Sequence, residues 1–325
     1  MNKLLLSKDI NQFFQDRDYT IVKPSNIINN NKDTVFLSSG IQPLLFGYLK
    51  KELESNKEYF VAQPVIRTQY LEQLSEGTSL AFVNSTTSKF NLSEEDYQKL
   101  VKDWLEFFYS LGLEKDKITT TNDFYEDTWK DLSLSGKRTF YYYDNLEIGD
   151  STFFTKVDHK EIESMCDLGF GVERVRWCTN KDKSYFDFDK DTKHLSPEEK
   201  ALISAITLLA INGVIPSQKN SGYRARLFSK HLADLLSAKK LSEADLEYFK
   251  DCIKYWKDWQ KPEKELDFSL IENEYERNCN SIIKSELLEE GYKINGINVN
   301  ISWDEMKKRL QSSGVPKERI KKIVR

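Results

Sequence analysis

Histidine and cysteine are scarce in this chain, and neither is clustered. The three histidines (His159, His194, His231) and the four cysteines (Cys166, Cys178, Cys252, Cys279) lie far apart, with no Cys-x-x-Cys pair. A structural zinc site needs grouped thiolates or imidazoles, so zinc is not expected, and the thiols read as reduced and mostly buried. Long apolar runs are missing too. The start carries only Leu4-Leu5-Leu6 before polar residues return, too short for a secretory signal, and no stretch is long enough to span a bilayer. The expectation is a cytoplasmic protein with no membrane partner. A strong charge of one sign is also lacking: 48 basic against 52 acidic residues leave a net charge of -4. That balance does not announce nucleic-acid binding, although local patches remain open. No internal repeat or low-complexity linker interrupts the chain.

What is present is a globular composition, 39% apolar and 13% aromatic, over 325 residues, enough for two domains with separate cores. Residues 7–18 read as a helix, with Ser7 as N-cap and Ile10, Phe13 and Phe14 on one face. Strand-like runs follow at 19–22 and 34–37, parted by the turn Asn29-Asn30-Asn31. A second helix runs from Gly40 towards Glu54, and strands are expected at 59–67 and 79–84. Helical spacing returns over 94–111 (Tyr97, Leu100, Val101, Trp104, Phe107, Phe108). The run 138–143 is rich in aromatic strand formers but does not tell its faces apart, and 153–157 is another strand. Near residue 190 the character changes. Ser196-Pro197-Glu198-Glu199 is a helix start, with proline in the first turn, and helical period persists to about 290. The end, 298–325, reads as a small β-like piece and one or two short basic helices. The expectation is an α+β domain over 1–192 and a helical domain over 193–325.

The segment Cys166-Asp167-Leu168-Gly169-Phe170-Gly171-Val172-Glu173-Arg174-Val175 carries the most chemistry. Its glycines let the backbone approach a flat ligand, and Arg174 follows at what reads as a strand-to-helix junction. Such an arginine suits a polyphosphate, and Asp167 suits an ammonium group. By spacing alone, a structural turn ahead of an amphipathic helix stands as an equal reading.

Four stretches, in order, resemble the catalytic half of alanyl-tRNA synthetases, a class II family. They are Thr34-Val35-Phe36-Leu37-Ser38-Ser39-Gly40-Ile41-Gln42-Pro43, Ala62-Gln63-Pro64-Val65-Ile66-Arg67, the segment from Asp167 to Arg174, and Asn212-Gly213-Val214-Ile215-Pro216-Ser217-Gln218-Lys219-Asn220-Ser221-Gly222-Tyr223. The resemblance implies a class II antiparallel β-sheet flanked by helices, followed by a mostly helical domain. It implies a ligase of protein biosynthesis that activates a small amino acid, alanine in the family, as an aminoacyl-adenylate and passes it to a tRNA 3′ end. ATP with Mg²⁺ would be used, the metal's position being unknown. By the same resemblance Arg67 meets the α-phosphate and Arg174 the γ-phosphate end, with Gln63, Glu72, Phe82 and Gly171 around the nucleotide. Asp167 and Gly169 hold the amino acid, with Trp129, Asp150 and Thr152 shaping its pocket. For Trp129 a plain core role stands beside the pocket role. Fixed arginines suit this chemistry because negative charge builds on the transferred phosphoryl group.

The departures from the family are equally specific. Asp150 stands where the family has asparagine and Thr152 where it has valine, which suits a more polar substrate than alanine. The stretch Ser79 to Phe90 replaces the family's second half of the nucleotide site, leaving Phe82 to stack on adenine and Glu72 as the substitute for a missing glutamate. Gln218 stands in for the asparagine that reads the acceptor stem, while Arg224, Arg226 and Lys230 follow, the last two four apart on one helical face. These cations suit phosphates without reading sequence, and a solvated basic face is the alternative. Nothing resembles the family's zinc-holding editing domain, and the run Asp187, Asp189, Asp191 reads as a solvated loop. Two further functions stay open: an amino acid ligase outside translation, and a synthetase-like binding protein without catalysis.

Overall fold

The computed structural model describes residues 7–29, 34–75, 77–129, 132–179, 185, 186, 192, 194–261, 266–292 and 300–323. Asn30, Asn31, the acidic run from Asp187 to Asp191 and the start of the expected β-like piece lie outside them. The chain divides into two compact units, Met1–Lys193 with Asp258–Lys261, and His194–Lys257 with Pro262–Arg325.

The first unit is built on a seven-stranded sheet. Its strands are β1 (Thr20–Ile21), β2 (Tyr59–Ile66), β3 (Ala81–Ser88), β4 (Ile118–Trp129), β5 (Leu132–Tyr143), β6 (Leu146–Val157) and β7 (Met165–Gly171), in spatial order β1-β2-β3-β7-β6-β5-β4. Only the short β1 runs parallel to its neighbour; every other pairing is antiparallel. The helices of this unit are α1 (Ser7–Gln15), α2 (Ile41–Leu49), α3 (Glu94–Ser110) and α4 (Val172–Thr179).

Alternation along the strands sorts the two faces. On one, α3 starts at a capping box in which Ser93 and Asp96 each satisfy the other's backbone N–H. It lays Tyr97, Trp104, Phe107 and Phe108 against Tyr141, Phe153 and Phe170 of the sheet. On the other face Ile41, Leu44 and Leu45 of α2 pack on Tyr59, Val61, Phe154 and Met165. Beyond that apolar patch the second face turns polar, and the candidate site lies there.

Local differences from the expected elements have simple causes. The run 34–37 forms one bridge, Ile28 to Phe36, instead of a strand. The first helix ends at Gln15, since Asp18 takes a positive φ of 67°. Strand β4 escaped the sequence reading altogether. It is the sheet edge, exposed along most of its twelve residues, with Phe124 62% accessible, so it lacks the apolar alternation that marks a half-buried strand.

The second unit is helical: α5 (Pro197–Ile211), α6 (Asn220–Leu235), α7 (Glu243–Trp259), α8 (Ser269–Glu289), α9 (Trp303–Ser312) and α10 (Lys317–Ile323). Ser196 and Glu199 form the capping box of α5, which is buried almost throughout. Glu199 is itself buried and meets the carboxyl of Asp245, which is also buried. Desolvation and this neighbour raise Glu199 from its ordinary 4.5 to about 8. The folded chain therefore keeps a proton that the unfolded chain has released. Stability is full below the ordinary glutamate value and is lost as pH rises from there through about 8. Thermal melts should fall between pH 5 and pH 9. Glu199→Gln, which keeps a capping acceptor, should flatten that curve; an unchanged slope would remove Glu199 as its source.

Candidate active site

A cavity of about 1030 Å³ opens on the polar part of the sheet. Its walls come from the 38–50 segment with α2, from Arg67 and Asn84, and from the facing residues of β4, β5, β6 and β7. Strand register explains the gathering. Asp167, Thr152 and Arg138 occupy one cross-strand row, and Gly169, Asp150 and Phe140 occupy the next. Side chains in such rows share a face, so residues far apart in sequence converge without any loop having to place them.

Two arginines and two aspartates dominate the polar lining. Arg67, immediately after β2, donates from Nε to the Ser38 carbonyl at 3.0 Å. Its guanidinium lies 4.9 Å from the Phe82 ring centre. Arg138 donates from Nε to Asp150 Oδ2 at 3.0 Å, with its guanidinium 4.2 Å from Phe140 and 5.5 Å from Tyr125. Asp150 is raised above the usual carboxylate range by desolvation, against the pull of Arg138.

Asp167 differs in that one of its two carboxyl oxygens lacks a partner. Its Oδ1 is shut from solvent and has no hydrogen-bond partner. Desolvation, with the Asp150 charge, pushes it up to about 7, while Arg138, Arg67 and a hydrogen bond from the Thr86 side chain hold it down. A buried carboxyl oxygen without a donor is costly, and it reads as a place kept for a ligand's N–H.

No family model matches this chain, and no curated protein matches its sequence. Among solved structures it is similar to a pyrrolysyl-tRNA synthetase from Desulfitobacterium hafniense. The identity is 12%, over 57% of this chain and 71% of that one, with a TM-score of 0.41. A likeness that distant bears no weight, so the functional reading rests on the site.

Of the residues singled out in the sequence, Arg67, Trp129, Asp150, Thr152, Asp167 and Gly169 line the cavity together. Trp129 lines the cavity and also packs against the apolar cluster of that face. It donates from Nε1 to the Tyr125 hydroxyl at 3.0 Å and packs edge-on to Phe154 at 5.7 Å. Gly171 ends β7, and Arg174 lies in the first turn of α4, so the strand-to-helix junction is where the segment placed it. A side chain at Gly171 would sit 3.7 Å from Phe82 and 3.8 Å from Arg174, which makes these three neighbours. Arg174 bonds the carbonyls of Glu147 and Gly77, each at 3.4 Å. Glu173 anchors the junction: both its carboxylate oxygens accept from the Val83 amide, at 3.1 and 3.0 Å.

Three residues differ from expectation. Gln63 is fully buried, and its amide exchanges hydrogen bonds with the backbone of Ser25 at 2.8 and 3.0 Å, so it braces a loop and shows no face to a nucleotide. Glu72 is exposed on a 3₁₀ turn, Thr68–Gln73, of which Gln69 and not Glu72 lines the cavity. Arg226 is paired with buried Glu274 at 3.2 Å, so it is not a free surface cation. Lys230 is exposed, as is Gln218, whereas Arg224 is half-buried and leans over the Tyr223 ring at 5.9 Å. The basic face thus shrinks to Lys230 with Arg224.

Among the cavity residues that sequence reasoning did not single out are Arg138, Asn84 and Tyr125. Arg138 lay in a run whose faces did not separate. The register shifts in the β5–β6 pairing, between Ser135 and Gly136 and between Tyr141 and Tyr142, are the reason. Asn84 accepts from the Gly40 amide at 2.6 Å and so fixes the start of α2. Tyr125 belongs to the edge strand that carries no sequence signal. The small size of Gly40 was visible but its cause was not: a side chain there would meet Thr86 Oγ1 at 2.5 Å.

Among the described residues no group of three or more His, Cys, Asp or Glu side chains is placed to hold a metal. No helix among them is long and apolar enough to cross a membrane. All four cysteines are free and buried.

Proposed function

We propose that the first unit activates an α-amino acid with ATP, forming an aminoacyl-adenylate and pyrophosphate, as class II aminoacyl-tRNA synthetases do. The observation that carries this reading is the buried carboxyl of Asp167, one oxygen of which has no hydrogen-bond partner, in the same cavity as Arg67. The substrate's ammonium would pair with the Asp167 carboxylate where that residue lines the cavity. Its carboxylate oxygen would attack the α-phosphorus beneath Arg67, whose charge opposes the negative charge that builds there, and the bond to the pyrophosphate oxygen would break. Arg67 needs no rearrangement for this, being already held by Ser38 and Phe82. Arg174, beside Gly171 and Phe82, would meet the far phosphates of a bent ATP. Mg²⁺ would arrive with those phosphates, since the described residues offer no carboxylate cluster to hold it alone.

The acceptor in this reading is a tRNA 3′ end, with Gln218, Arg224 and Lys230 of the second unit as contacts. A second reading is an amino acid ligase with another acceptor. It is favoured by Arg226, which is spent on Glu274 and withdrawn from the basic face. Alanine is not carried over as the substrate: a charged Asp150 and the Thr152 hydroxyl favour a polar side chain.

ATP–pyrophosphate exchange over a panel of amino acids, with and without tRNA, tests the reading. Exchange with one amino acid or a few is the expected result. A folded chain that gives none, and does not bind ATP, would leave a binding protein without catalysis. Exchange without transfer to any tRNA would select the second acceptor class.

A further inference from the structure

The two arginines of the cavity are held in one posture. Each spends Nε on a protein oxygen and lays its guanidinium near an aromatic ring. Among the described residues no hydrogen-bond partner meets either Nη group of Arg138, although Arg138 lines the cavity. A guanidinium fixed at Nε still offers a planar pair of Nη donors, the geometry that receives a carboxylate through two parallel bonds. One such fork is accounted for by Arg67 and the reacting phosphate. The second has no use in adenylate formation as such.

Register fixes where that second fork lies. Arg138, Thr152 and Asp167 are successive members of one cross-strand row on the cavity face, so Arg138 and Asp167 are two strand spacings apart, about 10 Å between Cα atoms. With both side chains reaching inwards, the gap left between cation and carboxylate fits a small molecule with an ammonium at one end and an anion at the other. Thr152 lies between them with a hydroxyl. Asp150 holds Arg138 from the adjacent row without filling its Nη fork.

We propose that the amino acid activated here carries a second carboxylate: its ammonium rests on Asp167, its α-carboxylate turns towards Arg67, and its side-chain carboxylate is held by Arg138. The inference rests on the activation reading for the reaction, but the binding it describes does not depend on that reaction. Acidic amino acids, aspartate and glutamate in length, are the class that suits the gap. Their amides match in shape and lack the charge that Arg138 selects.

The test is calorimetric titration of the full chain with L-aspartate, L-glutamate, L-asparagine, L-glutamine and L-alanine, run beside ATP–pyrophosphate exchange with the same five. At least tenfold tighter binding of one acidic amino acid than of its amide is expected. Arg138→Gln should reduce that binding about 100-fold and bring acid and amide to parity. Equal binding of acid and amide by the unaltered chain, or no binding of either acid, overturns the proposal whether or not the variant folds. Exchange with neutral amino acids alone would also overturn it, while leaving activation standing. Binding of an acid without exchange would support the proposed pocket and defeat the activation reading instead.

Discussion

Arg67→Ala should lower ATP–pyrophosphate exchange by roughly 100- to 1000-fold while leaving the fold intact, the loss typical of one fixed donor to developing charge. The expectation follows from what Arg67 does and does not hold. Among the described residues its side chain makes one hydrogen bond, to the Ser38 carbonyl, and one ring contact, with Phe82. Ser38 lines the open cavity, so its carbonyl can turn to water when the arginine is gone. The structural cost is then on the order of 1 kcal/mol, a small shift in melting temperature. The catalytic cost is large because the charge that builds on the α-phosphoryl group loses its fixed counter-charge. Arg67→Lys should restore little, since a point charge on a flexible stem does not reproduce the fork. Exchange rates and melts on the same preparations decide the matter; exchange within tenfold of the parent chain would strip Arg67 of its assigned role.

Asp167→Asn should separate function from folding more sharply still. Burial holds the Asp167 carboxyl up to about 7, against an ordinary 3.8. Its protonated form therefore favours the folded state, and that stability is lost as pH rises through about 7. Asparagine carries no charge at any of these pH values, so the variant should match the parent chain near pH 4, gain on it steadily up to about pH 7 and keep a constant advantage above that. Function runs the other way. An ammonium ligand needs the carboxylate, so kcat/KM for the amino acid should climb about tenfold per pH unit below about 7 and level above it. In the variant it should fall about 100-fold and lose that acid limb. A variant that is less stable at pH 8 and keeps the acid limb would mean that Asp167 is a structural carboxylate.

The parts of this molecule legible from sequence are those whose signals are local. The Ser196-Pro197 start, the α3 periodicity and the strand-to-helix junction at Gly171 each depend on residues within one turn or one strand. The cavity is only partly of that kind. Asp167 and Arg67 could be picked out by their order along the chain. Arg138 could not, because its importance comes from a row shared with Thr152 and Asp167 across two strand pairings. Gln63 fails in the opposite sense: a polar residue in an apolar strand looks like a ligand contact, and nothing nearby tells that Ser25, 38 residues away, takes both ends of its amide. Arg226 has the same history, its partner Glu274 lying 48 residues on. Strand β4 stayed hidden because a strand exposed along most of its length leaves no apolar alternation in the sequence.

The posture shared by Arg67 and Arg138 has one more consequence. A free arginine side chain gives up about 2 kcal/mol of rotamer freedom when a ligand freezes it. Here the anchors at Ser38 and Asp150 and the rings of Phe82 and Phe140 make the chain surrender most of that freedom as it folds. The loss is then charged against stability once, and not against each binding event. Two sites so treated make a rigid receptor, one that recognises an anion by where it sits and tolerates little displacement.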